Sequence, residues 1–507
     1  MNIKEAKEIV KATVTIYTEK DARGDYILPR SQKRPVMLIG APGIGKTDIM
    51  KQVAAEAGIP LLSYTMTHLT RQSLIGLPAL KTAVFGGKEY SITENTLSDM
   101  MVAILRMQEV TGKKEGILFL DEVNCVSETL SATMLDLLQN KRIGNHEIPD
   151  GWILITAGNP PQYNKSVKEY DVATMDRLRM VHVEPSLSIW KEYAYNAGTH
   201  PAIMSFLELN EGAFYKISTT VDGKKYATAR GWSDLSSALY AYERAGLKVS
   251  DDMVLQYITE VDIARKFSVY YTLYKKYRMD YSVQDILDGK NTDTAASKAA
   301  NASFDERLSV ISMLMEGIGK TAKETMTMDT ALQEVVRRLR MVKKSASGTA
   351  SVWEMLQDHI EEINKNMESM RVANSLSPQQ KENFLSAIDF LKKYQEDVEK
   401  AGKSGDAESE FKVAKASFNK DVKAMERKQK KLTGYLENAF EFVSKAWGEE
   451  HEMTLFATEV TVNRNVADFI ARYGSDAYFK HNKSLLTLDQ EKKITEEISK
   501  VKTLVAV

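Results

Sequence analysis

Short apolar runs alternate with helix-like segments over residues 35–185. Five of these runs predict strands, and they lie at residues 36–39, 61–64, 117–120, 152–155 and 180–183. The segments between them, such as 48–57 and 130–138, have the pattern of helices. Runs that are apolar on both faces suit the strands of a buried parallel sheet. The alternation therefore predicts a three-layer α/β domain over residues 1–185, with a helix at its N-terminus.

The pattern changes near residue 186, where the strand signals fade and residues 186–280 are predicted to be helical. Residues 281–303 are small, polar and weakly patterned, which predicts a linker or mobile loop. Residues 304–507 are predicted to form a charged, α-helical C-terminal region of unknown role. One helix face in this region follows steps of four and three residues, at Leu356, Ile360, Ile363, Met367 and Met370.

Composition narrows the function classes only a little. The chain has 507 residues, enough for about three structural units. Lys and Arg total 68 against 69 for Asp and Glu, so the net charge gives no global reason to expect a nucleic-acid partner. With the single cysteine Cys125, no intramolecular disulfide can form. Because no apolar stretch suits a signal peptide or a transmembrane helix, we expect a cytoplasmic protein without membrane insertion.

The segment from Gly40 to Thr47, GAPGIGKT, fits the phosphate-binding pattern GxxxxGK[ST] at every position. It follows a predicted strand and opens a predicted helix, as the pattern requires. Glycines let the backbone turn its N–H groups toward phosphates, and the helix N-terminus adds a favourable dipole. Lys46 is expected to reach the β- and γ-phosphates, and the Thr47 hydroxyl to ligate Mg²⁺. The predicted nucleotide-binding residues are Gly40, Ala41, Pro42, Gly43, Ile44, Gly45, Lys46, Thr47 and Asp48.

A second segment, GIGKT at residues 317–321, repeats the end of this pattern. Its first glycine position is occupied by Leu314, and the residues before it have a helical rather than a strand pattern. We interpret it as the end of a helix capped by glycine, and not as a second nucleotide site.

Two adjacent carboxylates follow the predicted strand 117–120. Successive side chains on a strand point to opposite faces, so Asp121 and Glu122 are expected to take different roles. Asp121 is assigned to Mg²⁺, through its water shell, and Glu122 to the general base that accepts a proton from the attacking water. The strand that begins at Trp152 leads to Asn159, whose amide is a candidate to orient that water or to contact the γ-phosphate.

Together these motifs resemble an AAA+ ATPase, and the chain is most similar to the MoxR group of the dynein-related type. The similarity covers about residues 30–275 and includes a loop that resembles the one before the group's helix-2 insert, at residues 68–78. The chain departs from the group at Cys125, where Arg is usual, and at Leu178, where Phe is usual, so it resembles a divergent branch. The matching motifs are Asp121-Glu122-Val123-Asn124, a helix leading to a hairpin over 131–142, Asn159-Pro160, Asp176-Arg177-Leu178 and Ala229-Arg230-Gly231.

The resemblance implies roles for three arginines. Arg177 would be an arginine finger that reaches the nucleotide of a neighbouring subunit, with Arg179 as the rival candidate. Arg230 would be a sensor at the start of a helix in a lid, residues 186–280. The resemblance also implies a ring, most often a hexamer, ATP and Mg²⁺ as cofactors, and chaperone-like remodelling or maturation of a protein client with a von Willebrand factor A domain partner.

Two further segments bear on the choice of nucleotide and of function. The sequence Asn164-Lys165-Ser166-Val167 begins like the guanine-binding pattern NKxD, but Val167 lacks the carboxylate, which favours ATP.

Residues 412–431 are rich in Lys and Arg. This stretch is either a solvated helix face, which we favour because no aromatic platform accompanies it, or a surface for nucleic acid. A nucleic-acid-directed or defence-type AAA+ motor is therefore the alternative function.

Overall fold

A computed structural model describes residues 1–163, 172–220, 223–290, 292–345, 351–402 and 406–482. The chain forms two compact units. Unit 1 comprises Met1–Ser186 and a later segment, Asp358–Phe384. Unit 2 comprises Leu187–Gln357 and the chain from Leu385 onward. No pattern in the sequence indicates that residues 358–384 belong with the first unit.

Unit 1 is built on a five-stranded parallel sheet of order β2-β5-β8-β1-β9, and two antiparallel hairpins, β3–β4 and β6–β7, lie outside it. The strands are β1 Val36–Gly40, β2 Leu61–Thr65, β3 Pro78–Phe85, β4 Lys88–Asn95, β5 Gly116–Asp121, β6 Arg142–Ile143, β7 His146–Glu147, β8 Trp152–Gly158 and β9 Arg179–Val183. The α-helices among the described residues of 1–186 are α1 Ile3–Thr18, α2 Lys46–Ala57, α3 Arg71–Ile75, α4 Asp99–Thr111, α5 Glu128–Asn140 and α6 Val172–Asp176.

The five predicted strands are confirmed, as is the α/β fold. The apolar run of β5, residues 117–120, is fully buried, and every residue of β8 is buried. The parallel register pairs Gly40 with Val183 and Thr65 with Asp121, so the carboxyl ends of the strands meet at one edge of the sheet. Ligands of open α/β sheets bind at this edge, where the strand order reverses. The predicted phosphate-binding loop and both carboxylates are therefore placed at the same edge.

Unit 2 is mostly helical, and its predicted helical character is confirmed. The hairpin formed by β10 Lys216–Thr220 and β11 Gly223–Ala227 is an addition that the sequence pattern did not predict. Among the described residues after 186, the α-helices are α7 Leu187–Ala197, α8 Pro201–Leu209, α9 Ala229–Ala245, α10 Asp251–Leu255, α11 Val261–Asp280, α12 Val283–Leu287, α13 Thr292–Ala300, α14 Phe304–Ser345, α15 Val352–Val372, α16 Pro378–Lys400, α17 Ala407–Trp447, α18 His451–Val462 and α19 Arg464–Tyr473. Among the helices of the described ranges, none is long and apolar enough to span a membrane.

The interpretation of residues 281–303 as a linker is wrong. This segment contains α12 and α13, and Ala296 and Ala299 of α13 are buried in the same apolar cluster as Leu436 and Phe440 of α17. Small residues allow two helices to approach closely, and the same small residues weaken the apolar pattern along the sequence. The weak pattern therefore reflects close packing rather than an unfolded segment.

The interpretation of the second GIGKT segment as a helix end is also wrong, because residues 317–321 lie in the middle of the 42-residue helix α14. A Cβ atom added at Gly317 would lie 2.5 Å from Leu287, and one added at Gly319 would lie 2.6 Å from the side chain of Asn463. These glycines therefore provide room for neighbouring elements of unit 2. The backbone here is helical, so it forms no phosphate-binding loop.

Candidate functional site

The phosphate-binding loop connects the end of β1 to the first residue of α2, Lys46. Gly43 and Gly45 have φ angles of 75° and 92°, a left-handed conformation that residues with a Cβ rarely adopt. At Gly40 the constraint is different, since an added Cβ would lie 2.6 Å from the carbonyl oxygen of Val183 in β9. Local backbone geometry and the close approach of β9 thus account for the three glycines. The loop has the conformation expected of a cradle for phosphates.

Lys46, the first residue of α2, is 8% exposed. Its Nζ donates hydrogen bonds to the carbonyl oxygens of Gly40 and Ala41, at 2.7 and 2.8 Å, and to Oδ1 of Asn159 at 3.1 Å. The structure therefore brings the predicted phosphate-binding lysine and the predicted sensor asparagine together. The charge of Lys46 is held at the mouth of the loop, where a nucleotide's phosphates would meet it.

Thr47 and Asp121 also meet, because the Thr47 hydroxyl donates to Oδ2 of Asp121 at 3.0 Å. Both are oxygen donors of the kind that Mg²⁺ prefers. Within the described part of the chain, no group of three or more His, Cys, Asp and Glu side chains is placed to hold a metal ion by itself. Mg²⁺ usually keeps several water ligands and binds through one or two protein groups together with substrate phosphates. The residues present therefore fit a nucleotide-bound Mg²⁺.

Asp48, the last of the predicted nucleotide-binding residues, has a different environment. Its side chain is mostly exposed and lies 3.6 Å from the ammonium group of Lys51, one turn further along α2. Its position in the first turn of the helix suits an acidic residue on electrostatic grounds, because the helix N-terminus is partly positive. The structure thus offers a local explanation for Asp48, independent of a ligand.

Glu122 leaves the strand, which corrects the expectation that strand alternation separates the two carboxylates. Strand β5 ends at Asp121, and Glu122 adopts a left-handed conformation with φ 57° and ψ 34°. Its backbone N–H donates to Oδ1 of Asp121 at 2.9 Å. A glutamate in this conformation is uncommon, and such strain is frequent at functional sites. The turn, and not the pleat of the strand, gives the two carboxylates their separate directions.

Thr67 is a neighbour of Glu122 that the sequence did not single out. It follows β2, and its hydroxyl donates to Oε2 of Glu122 at 3.1 Å. The contact exists because β2 lies beside β5 in the sheet, with Thr65 paired to Asp121. No local motif marks Thr67, so only the strand order could have revealed it.

Asn124 belongs to the Asp-Glu-x-Asn motif, but the sequence assigned it no role, and the structure shows that it links the ends of β5 and β8. Its Nδ2 donates to the carbonyl oxygen of Asn159 at 2.8 Å, and its Oδ1 accepts from the backbone N–H of Asn159 at 3.3 Å. A Cβ atom at Gly158 would lie 2.6 Å from this side chain, so the glycine leaves room for it. Asn124 is 6% exposed, and its two hydrogen bonds hold the backbone of Asn159 in place. The Asp-Glu-x-Asn motif contained the signal, but its spacing alone did not indicate a role.

The two candidate arginine fingers lie in different environments. The guanidinium of Arg179 donates to the Thr13 hydroxyl at 2.9 Å and lies 5.9 Å from the centre of the Tyr17 ring, so it anchors helix α1. Arg177 follows α6 and is exposed. Within the described ranges, its guanidinium has no hydrogen-bond or ion-pair partner. Of the two, Arg177 is the one whose side chain is available to a neighbouring molecule.

Arg230 is the second residue of α9 in unit 2 and is exposed. The helix begins there because the Thr228 side chain caps it, accepting from the backbone N–H of Gly231. A sensor at the start of a helix is therefore consistent with the local structure. The segment from Asn164 to Val167, which bears on the choice of nucleotide, lies outside the described residues.

Comparison with known proteins agrees with this geometry. The profile of the AAA domain, dynein-related subfamily, matches residues 35–178, which include the loop, both carboxylates, Asn159 and Arg177. No curated protein matches the chain. Many solved structures are similar over part of it, among them the following two. A protein from Cytophaga hutchinsonii ATCC 33406, named as a candidate ATPase, has 16% identity, covers 36% of this chain and has a TM-score of 0.22. NtrX from Brucella abortus has 14% identity, covers 40% of this chain and has a TM-score of 0.21.

The present chain spans 47% and 44% of those two structures, less than half of their length. At these identities and TM-scores, their names are not transferred to it. The assignment of the domain rests on the match to the AAA domain and on the five-stranded parallel sheet. Residues 35–178 therefore form an AAA domain of the dynein-related type.

Proposed function

We propose that the chain hydrolyses ATP with Mg²⁺ at the carboxyl edge of the unit 1 sheet and uses the energy to remodel or mature a protein client. One observation supports the proposed hydrolysis: five side chains lie together at that edge, namely Lys46, Thr47, Asp121, Glu122 and Asn159. AAA+ proteins typically assemble as rings, and we propose a hexamer. The resemblance to the MoxR group supports a partner with a von Willebrand factor A domain.

Each side chain has a distinct task in this proposal. The N–H groups of the loop and Lys46 bind the phosphates, while Thr47 and Asp121 hold Mg²⁺. When bound, the metal ion neutralises charge on the phosphate oxygens. Glu122 accepts the proton of the attacking water, and Asn159 orients that water. These tasks separate binding from hydrolysis, so single substitutions should affect them separately.

Two arginines have proposed roles as well. Arg177 of one subunit counters the charge that develops on the γ-phosphate held by the next subunit, and Arg230, at the start of α9, is proposed as a sensor. The exposed position of Arg177 supports its role, as does the engagement of its rival Arg179 with α1. An arginine finger contributes roughly 10³–10⁵ in rate in related phosphoryl-transfer sites.

Substituting Glu122 with Gln tests the hydrolytic assignment. The amide keeps the shape of the side chain but cannot accept a proton, so we expect ATP binding near the wild-type affinity and turnover reduced at least about a hundredfold. Calorimetry with ATP and a phosphate-release assay measure the two quantities. Turnover within about tenfold of wild type would show that another residue is the base.

The same variant tests the proposed partner. Because Glu122→Gln holds ATP without hydrolysing it, it should retain clients and partners that Lys46→Ala, which should not bind ATP, releases. Enrichment of a protein with a von Willebrand factor A domain on the Glu122→Gln form, relative to Lys46→Ala, is the expected result from the native cell. Equal recovery on both forms would contradict an ATP-dependent partner.

The alternative, a motor directed to nucleic acid, rests on the cations of α17. Lys415, Lys420, Lys423, Arg427 and Lys430 are exposed, and within the described ranges none of the five forms an ion pair. Others are paired: Lys412 lies 3.0 Å from Glu408, and Lys428 lies 3.0 Å from Glu324. Stimulation of hydrolysis by DNA or RNA that falls steeply with salt would favour this alternative, whereas we expect no stimulation.

A further inference from the structure

A turn at the end of helix α15 is attached to the nucleotide-binding sheet, although about three hundred residues separate them in the chain. The backbone N–H of Leu61 donates to the carbonyl oxygen of Ala373 at 2.9 Å. In return, Nδ2 of Asn374 donates to the carbonyl oxygen of Leu61 at 3.2 Å. Leu61 is the first residue of β2, which lies at the edge of the sheet with β5 as its neighbour. The turn therefore binds both backbone groups on the free side of Leu61.

The geometry of the turn is well defined by its own hydrogen bonds. The N–H of Asn374 donates to the carbonyl oxygen of Arg371 at 3.1 Å, and that of Ser375 donates to Met370 at 2.9 Å. This pair of bonds is the Schellman pattern, which ends a helix with one residue in the left-handed conformation. Asn374 is that residue, with a φ angle of 50°. Asparagine adopts this conformation more readily than most residues.

Ala373 strengthens the attachment, since it is 6% exposed and belongs to the same apolar cluster as Leu62, Met100 and Leu118. Its burial fixes the turn against the domain on the apolar side, while Asn374 fixes it through the hydrogen bond to Leu61. An unpaired edge strand is free to shift on its open side, and here the turn closes part of that side. The start of β2 is thus positioned by β5 on one side and by residues 373–374 on the other.

The other end of β2 lies at the active site. From Leu61 to Thr65 the strand is paired in register with β5, over a length of roughly 13 Å. Two residues beyond it, the Thr67 hydroxyl contacts Oε2 of Glu122. Because a strand transmits displacement along its backbone, the position of Leu61 and the position of Thr67 are linked. The carboxylate that Thr67 contacts is the one that we assign as the base.

We propose that Asn374 is a positioning residue for Glu122, acting through β2 and Thr67, so that ATP hydrolysis depends on how the turn between α15 and α16 is seated. This inference rests on the proposed role of Glu122. It gives helices α15 and α16 a function: a partner that displaces their shared turn changes the rate of hydrolysis without touching the nucleotide.

Asn374→Asp tests the proposal, because the carboxylate keeps the size of the side chain but cannot donate to Leu61. We expect kcat to fall about fivefold, the effect of one ordinary hydrogen bond, with the Kd for ATP unchanged. Asn374→Gly is the second variant, since glycine retains the left-handed turn and removes only the side-chain bond. The matched control is Asn366→Asp, at an exposed position of the same helix, which should leave kcat at the wild-type value.

The deciding measurement repeats these variants in a Thr67→Val background. If Asn374 acts through Thr67, then Asn374→Asp and Asn374→Gly produce no further fall in kcat once the Thr67 hydroxyl is absent. The proposal is overturned if both variants match wild type, or if they lower kcat by the same factor in both backgrounds. Failure of the proposed function gives a different result, in which Glu122→Gln still turns over ATP.

Discussion

The end of β1 and the middle of α14 contain the same five residues, Gly-Ile-Gly-Lys-Thr, at positions 43–47 and 317–321. In the first, both glycines have positive φ angles and the loop curls around the Lys46 ammonium group. In the second, the five residues continue a helix, and the N–H groups follow the helical hydrogen-bond pattern. The pentapeptide alone thus does not determine the structure.

What differs is the chain before the pentapeptide. The first copy is preceded by a buried strand and by Gly40, which accommodates the close approach of Val183. The second is preceded by Leu314, a fully buried residue of α14. Glycines serve the phosphate-binding loop by allowing left-handed backbone, whereas Gly317 and Gly319 serve α14 by leaving room for Leu287 and Asn463. The same residues therefore contribute conformational freedom in one place and small size in the other.

Removal of the first lysine should have the largest effect. Lys46→Ala removes the cation from the mouth of the loop, so we expect no measurable ATP binding and no turnover. The hydrogen bonds of Lys46 to Gly40, Ala41 and Asn159 are also lost, so the thermal stability of the variant must be measured beside its affinity. Micromolar affinity for ATP in calorimetry, in a folded variant, would contradict the assignment of the loop.

The fold of unit 1 was largely predictable, and the contacts around its site were only partly so. Strands β1, β5 and β8 carry strong apolar runs, and the loop carries its own motif, because both depend on neighbouring residues in the sequence. Thr67 reaches Glu122 only because β2 and β5 are adjacent, which no local pattern encodes. Asn374 is still more distant, since its contact with Leu61 depends on the packing of a much later segment.

Some sequence patterns were misleading for identifiable reasons. In α13 the buried side chains are alanines, so burial leaves little apolar signal in the sequence. At Glu122 the chain leaves β5 one residue earlier than a continuous strand would, and a left-handed turn replaces the expected alternation. No residue preference predicts a left-handed conformation at a glutamate, because the surrounding contacts and not the residue type stabilise it.

Removal of the second lysine should have the smallest effect. Lys320 is an exposed residue on α14, so Lys320→Ala should change ATP affinity, turnover and thermal stability by less than the experimental error. The same assays as for Lys46→Ala make the two lysines directly comparable. A loss of bound nucleotide in Lys320→Ala would show that the second copy also binds nucleotide, contrary to its helical backbone.

We propose that two subunits complete one active site, and a mixing experiment can decide whether they do. Arg177→Ala should bind ATP but hydrolyse it poorly, and Lys46→Ala should do neither. In randomly mixed rings, roughly a quarter of the interfaces would pair an intact loop with an intact arginine. Arg179→Ala is the control, because the Arg179 guanidinium donates to Thr13 of α1. We expect this variant to have lower thermal stability but to keep the arginine-finger function of Arg177.

We expect that mixing the two inactive variants restores part of the ATP turnover. Native mass spectrometry of the same sample establishes that the rings contain both variants. Rings that are mixed and yet remain inactive, or full activity of Arg177→Ala by itself, would contradict a site shared between subunits.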